Sequence, residues 1–217
     1  MRHLIRKAIF GMIKRNRTGI EIISLYRLRH YFENIGWLKS RIVGLPVDKN
    51  GYPLPWFTYS AIYFLEKKVN LNMKVFEYGS GNSTLWWSVR VTEVKACEHD
   101  IEWYNIMKNK IPPNVEYLFC ELVDGGYAEV IKKYQKKFDI VVIDGRDRVN
   151  CIKNSLGALT NSGIVILDNS ERDAYQEGIR FLKHNGFKCI DFKGLGPINN
   201  YCWCTSIFYR NDNCFKI

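Results

Sequence analysis

The chain has 217 residues, 47% of them apolar and 14% aromatic, with 32 Lys/Arg against 22 Asp/Glu and a net charge of +10. That is enough apolar material for one packed domain and excludes a disordered chain. No stretch approaches the roughly 18 consecutive apolar residues of a membrane span, and the longest uncharged run near the N-terminus, "AIFGMI", is too short for a secretory signal.

The charge is uneven. Residues 1–41 hold ten Lys/Arg against Glu21 and Glu33, so the basic character belongs to an N-terminal appendage. Within it Leu4, Ile5, Ala8, Ile9, Met12 and Ile13 recur at helical spacing, and "EIISLYRLRHYF" continues the pattern. The Pro- and aromatic-rich run 44–59, with Tyr52, Trp56, Phe57 and Tyr59, follows as an ordered loop, serving either as a lid or as packing against a sheet. "SAIYFLEKKV" returns to helix. We take residues 1–70 as a basic helical extension and cap, and 71–217 as the main domain.

From residue 74 the chain alternates. Strand-like runs are 74–79, 93–99, 115–120, 138–145 and 163–169, with helix-like segments "STLWWSVR", "DIEWYNIMKNK", "YAEVIKKYQKK" and "RVNCIKNSLGALT" between them. Continuous apolar strands separated by helices predict a parallel sheet buried on both faces. After a last helix in "ERDAYQEGIRFLKHNG" come strands at 187–192 and 204–210, joined without a helix. They form a hairpin, so one strand runs antiparallel. The expected fold is α/β: a Rossmann-like, doubly wound, seven-stranded sheet with the last strand antiparallel.

Ligands in such sheets bind beyond the carboxyl ends of the strands. "VFEYGSGNST" (75–84) ends the first of these strands in an acid and two glycines, which let bare backbone approach a ligand. The dinucleotide fingerprint G-x-G-x-x-G needs a third glycine at position 84, where Thr84 stands. A pyrophosphate is therefore disfavoured. Glu98, ending the second strand, is placed to accept hydrogen bonds from a ribose diol, which points to a nucleoside without a diphosphate.

"FEYGSGNST" followed by "ACEHD" resembles motifs one and two of the class I S-adenosylmethionine-dependent methyltransferases, over roughly residues 70–210. The resemblance implies an enzyme of the methyl-transferring class EC 2.1.1, with S-adenosylmethionine as cofactor. Gly79, Ser80 and Gly81 would line its methionine moiety, Glu77 would support the turn and the amino group, Glu98 would hold the ribose, and Asp144 is the further cofactor-binding candidate. The adenine would pack near Phe119–Leu122.

"VVIDGRDR" and "VILDNSER" end the fourth and fifth strands in Asp144 and in Asp168 and Asn169. These strand-end acids are similar to those of the metal-dependent catechol and sugar O-methyltransferases. That likeness implies Asp144, Asp168 and Asn169 as ligands of Mg²⁺, and a small-molecule or glycan hydroxyl as acceptor. Asp144-Gly145 is equally a good turn pair, and Asp-Asn-Ser a good helix cap. Asp144, Arg146 and Asp168 are the candidate catalytic residues; Asp147 is an alternative base, and Arg148 a further candidate to orient the acceptor. His99 adjoins the ribose acid and is assigned a structural role. "IDGRD" lacks the Pro-Pro-aromatic run of the base-methylating families, which argues against nucleic acid bases as acceptors.

The competing expectations are an RNA or protein methyltransferase using the basic arm, a nucleotide-binding oxidoreductase, and a non-catalytic module held at a membrane by residues 1–17. The seven cysteines form no CxxC pair and are expected to be reduced, buried thiols of a cytoplasmic protein, peripheral at the inner membrane surface if residues 1–17 bind lipid.

Overall fold

The computed structural model describes residues 17–217; the helical pattern expected over residues 4–13, and the lipid contact assigned to 1–17 apart from Arg17, lie outside them. Two helices lead the described chain, α1 (Arg17–Asn34) and α2 (Trp37–Val43), followed by α3 (Tyr59–Lys68). The main body then runs β1 (Lys74–Tyr78), α4 (Asn82–Ser88), β2 (Glu93–Glu98), α5 (Ile101–Met107), β3 (Val115–Phe119), α6 (Gly126–Glu129) and β4 (Phe138–Ile143). It ends with α7 (Arg148–Ser155), β5 (Leu159–Asp168), α8 (Gln176–His184), β6 (Lys188–Gly194) and β7 (Trp203–Tyr209). The seven strands form one sheet in the order β3-β2-β1-β4-β5-β7-β6. Strand β7 is antiparallel to both β5 and β6, and the other pairings are parallel, as the hairpin argument requires.

Both faces of the sheet are covered, which explains the unbroken apolar strands. Successive residues point to opposite faces. Phe76, Tyr78, Val141, Ile143, Val165 and Leu167 meet Cys151 and Ile152 of α7 and Leu182 of α8 on one side. Val75, Ile140, Val142, Ile164 and Ile166 meet Ile62 and Leu65 of α3 and both tryptophans of α4 on the other.

The loop before α3 divides its aromatics between the two roles expected of it. Phe57 and Tyr59 are buried in the second core, while Tyr52 and Trp56 face outward. The segment is stitched to the hairpin: Thr58 Oγ1 donates to Phe192 O, and the Tyr59 amide donates to Leu195 O.

Three expectations need correction. The helix expected over "YAEVIKKYQKK" shrinks to α6 and one 3₁₀ turn at Val130–Lys133, because the amides of Lys136 and Lys137 bond to Gly157 and Ala158 carbonyls instead of continuing a helix. Strand β5 starts at Leu159 rather than Gly163, with a register shift between Phe138 and Ile140. All seven cysteines are free, but only Cys97, Cys151 and Cys204 are buried; Cys120, Cys189 and Cys214 are half-buried and Cys202 is exposed.

The chain builds β1, β2 and β3 outward, then crosses back to place β4 on the other side of β1. That reversal makes the β1/β4 tips the topological switch point, where a crevice opens for ligands. The two tips touch. A Cβ on Gly79, whose φ is +91°, would lie 3.0 Å from Asp144 O; one on Gly145 would lie 2.9 Å from Gly79 N and overlap Tyr127 Oη. Gly145→Ala should cost about 1–3 kcal/mol as an overpacking change, and Gly145→Ala/Tyr127→Phe should recover part of it in chemical denaturation.

Candidate cofactor and acceptor site

The turn after β1 rests on a buried chain of hydrogen bonds. The Gly81 amide donates to Thr84 Oγ1 at 3.1 Å, and that hydroxyl donates to Glu77 Oε2. Thr84, which breaks the dinucleotide fingerprint, is therefore a structural part of the turn. Its position in the first turn of α4, three residues after Gly81, is the sequence signal for this. Glu77 is fully buried, and desolvation raises its pKa to about 8 against the opposing hydrogen bonds. Its Oε1 has no hydrogen-bond partner among the described residues. Glu77 lines neither of the cavities at the strand tips and acts on the turn from beneath, through Thr84.

Glu98 ends β2 in a fixed orientation. Its Oε1 accepts from the amides of His99 at 2.8 Å and Asp100 at 2.9 Å, and its Oε2 accepts from Ser80 Oγ at 2.8 Å. Ser80 Oγ also lies 2.7 Å from Tyr117 Oη. Trp103, on the first turn of α5, donates from its indole to Ser80 O at 2.9 Å and so clamps the glycine turn from above. Glu98, Gly79, Ser80, His99, Trp103 and Arg146 line a cavity of about 390 Å³. His99 faces this cavity, with Nδ1 2.9 Å from Glu98 Oε1, so its structural role includes forming a wall. Phe119–Leu122, expected beside an adenine, are not among the lining residues; His99, Asp100 and Trp103 occupy that end. The sequence pattern does not single out Trp103; its one signal is an indole a turn beyond the ribose acid.

A second cavity, of about 380 Å³, adjoins the first and shares Ser80, Trp103, Asp144 and Arg148 with it. Asp144, Asp168 and Asn169 all line it, as the strand ends predict. Arg148, on α7, is the hub. Its Nε donates to Gly145 O at 2.9 Å, one terminal nitrogen to Asp144 Oδ1 at 3.0 Å, and the other to Asp168 O. Asp168 is held from behind, its Oδ1 accepting from Trp203 Nε1 at 3.0 Å and Thr205 Oγ1 at 2.6 Å. Burial, reinforced by the charge of Asp144, drives the Asp168 pKa upward. Desolvation raises Asp144 to about 6, opposed first by Arg148 and then by Arg172.

These residues do not fit a divalent ion as they stand. Asp144 is paired with a guanidinium that also bonds the main chain of Asp168, and a cation between the two tips would face that fixed positive charge. Asp168 has one oxygen saturated by two donors and an environment favouring its neutral form. Of the expected metal set, Asp144, Asp168 and Asn169, Asp144 is ion-paired with Arg148. Asp147 is not placed as a base: it is exposed, and its carboxylate accepts from Asn150 at 2.9 and 3.1 Å. Arg146 is exposed and lines the Glu98 cavity rather than the Asp168 one.

The outer wall comes from the β6–β7 connection. Trp37 Nε1 donates to Asn199 O and Arg41 to Ile198 O, both at 2.8 Å, holding Ile198 at φ +71° and setting Asn199 and Tyr201 against the cavity. A β-branched residue at positive φ is strained and persists only when neighbours fix it. Helix α2 thus shapes the second cavity.

No protein-family model matches the chain, and no curated protein matches it in sequence. Solved structures do resemble it. Precorrin-6y C5,15-methyltransferase from Geobacter metallireducens GS-15 aligns with TM-score 0.55 at 13% identity, over 70% of this chain and 87% of its own. Spermidine synthase from Thermotoga maritima gives 0.52 at 16%, over 70% and 57% respectively, and an rRNA methylase from Streptococcus thermophilus gives 0.50 at 16%, over 68% and 93%. The chain spans little more than half of the spermidine synthase. At these identities the likeness establishes the fold, and the different reactions in those names leave the chemistry to the site. The fold is the Rossmann-like one shared by class I methyltransferases.

The folded-state pKa of Glu77 lies above its ordinary value, so its contribution to stability is fully present below about pH 4.5 and is lost as pH rises through about 8. Melting temperature followed across that window should fall more in the wild type than in Glu77→Gln, which cannot ionise; parallel curves would contradict this.

Proposed function

We propose that this protein is an S-adenosylmethionine-dependent methyltransferase acting on a hydroxyl of a small-molecule or glycan acceptor. The observation that carries this is the junction of two cavities at Ser80, Trp103, Asp144 and Arg148. One is walled by Gly79 and by Glu98, a carboxylate placed for a diol; the other is walled by Gly81, Asp168 and Asn169, and Asp144 at the tip of β4 lines both. Gly79, Ser80, Gly81, Glu98 and Trp103 would hold the cofactor, which supplies a methyl group on a positively charged sulfur.

The remaining work falls to the chain. Methyl transfer is an in-line displacement, so the acceptor oxygen must be aligned and shed its proton as it attacks. Asp144 is the group suited to take that proton. It lines both cavities, 22% of its side chain remains accessible, and its pKa of about 6 leaves it ionised near neutrality while keeping it more basic than an ordinary carboxylate. Arg148 keeps the carboxylate in place and balances its charge before transfer. Asp168 acts behind Arg148 and Trp203 as a positioning residue.

The size of the second cavity favours a modest acceptor over RNA or protein. Part of the basic extension is already committed: Arg17 and Arg29 pair with Glu21 and Glu33, and Arg41 holds Ile198. Thr84 in place of a third glycine speaks against a dinucleotide oxidoreductase.

A screen with methyl-labelled cofactor over sugars, catechols and lipids tests the proposal. With the acceptor so found, Asp144→Asn should lower kcat by roughly 10²–10⁴-fold while S-adenosylhomocysteine binding changes little, and the wild-type rate should rise with pH through about 6. Chelator should leave the rate unchanged; its loss in EDTA and recovery with Mg²⁺ would reinstate the metal-assisted mechanism.

A further inference from the structure

We infer that the acceptor carries an anionic group beside its reacting hydroxyl, and that Arg172 is the residue that selects for it. The inference rests on the methyltransferase reading above and concerns the second cavity only.

Arg172 follows the tip of β5, its amide closing a turn onto Asn169 O at 3.1 Å, and its side chain lines the second cavity while staying largely exposed. The two arginines of this cavity differ in what they bind. Arg148 is buried and makes three hydrogen bonds to the protein. The Arg172 guanidinium has no hydrogen-bond or ion-pair partner among the described residues, and its field still reaches Asp144. Of the two arginines that line the cavity, Arg148 is ion-paired with Asp144 and Arg172 has no ion pair among the described residues.

The rest of the lining sets the kind of molecule. Trp56 and Tyr201 present partly exposed aromatic faces, and Asn169 and Asn199 present amides. Flat aromatic faces accept a ring, and amides suit hydroxyls. A guanidinium with all its donors available binds carboxylate or phosphate in two-pronged fashion. A cavity of about 380 Å³ accommodates one ring with such a substituent. The acceptor class that satisfies all three features is a hydroxylated ring compound bearing a carboxylate or phosphate, with the anion at Arg172 and the hydroxyl at Asp144.

Matched pairs differing in the anionic group test this on the full-length protein saturated with S-adenosylhomocysteine: glucuronate against glucose, glucose 6-phosphate against glucose, and 3,4-dihydroxybenzoate against catechol. Calorimetry should show at least one anionic member binding roughly tenfold or more tighter than its neutral partner, an advantage that shrinks with added salt. Which pair responds separates carboxylate from phosphate. Arg172→Gln should remove the preference, Arg172→Lys should retain part of it, and S-adenosylhomocysteine affinity should be the same in all three proteins. Equal binding within every pair, no binding by any anionic probe, or a preference surviving in Arg172→Gln would overturn the inference. Failure of S-adenosylhomocysteine itself to bind would overturn the underlying reading as well.

Discussion

The site depends on two glycines in contact. Gly79 and Gly145 bring the tips of β1 and β4 so close that Gly145 has no room for a methyl group and Gly79, at positive φ, only a tight and strained one. Everything else is hung from that crossing. It leaves the floor of the crevice as main chain, which a ligand can approach within van der Waals distance. It also places Ser80, after β1, and Asp144, after β4, at the boundary that both cavities share. Two adjoining cavities sharing one boundary are what a group transfer needs, because donor and acceptor must meet across it.

Charge within that boundary is managed by burial and one arginine. Glu77, Asp144 and Asp168 all have raised pKa values, each with desolvation as its leading cause. Three clustered acids would repel if all were ionised, and the chain resolves this unequally. Glu77 is closed beneath the turn, Asp168 is pinned by Trp203 and Thr205, and Asp144 keeps access to both cavities with Arg148 at its side. Environment has given similar side chains distinct surroundings, with burial as the common cause of their raised pKa values. Arg148 supplies the positive charge between the β4 and β5 tips, bonded to Asp144 and to the main chain at Gly145 and Asp168.

The alternation of apolar runs and helices, and a terminal hairpin lacking a helix, make the sheet legible in the sequence, because burial on both faces leaves no polar period to misread. The strand-end residues are legible for a similar reason: a polar or glycine cluster terminating an apolar run marks the point where the chain leaves the sheet. Partnership is what the sequence hides. Nothing local says that Arg148 binds Asp144 and the main chain at Asp168, twenty residues away, or that Trp203 reaches Asp168 across the hairpin. Reading Asp144, Asp168 and Asn169 as a metal set takes no account of that partnership. Likewise the link from Trp37 and Arg41 to the β6–β7 loop spans more than 150 residues of chain and follows from tertiary packing alone. The shortened helix at 126–133 shows the opposite case, helical propensity overridden by main-chain bonds to a neighbouring turn.

Under the proposed function, the β1 and β2 tips hold a sulfonium nucleoside through bare backbone and the Glu98 carboxylate. Equilibrium dialysis with labelled S-adenosylmethionine, run in parallel with NAD on the wild type and Glu98→Ala, tests it most directly. The account predicts saturable binding of the first and none of the second, with Glu98→Ala weakening the affinity by about 2 kcal/mol, roughly thirtyfold, through loss of charge-assisted hydrogen bonds. Saturable NAD binding, or an affinity for S-adenosylmethionine indifferent to Glu98, would contradict it.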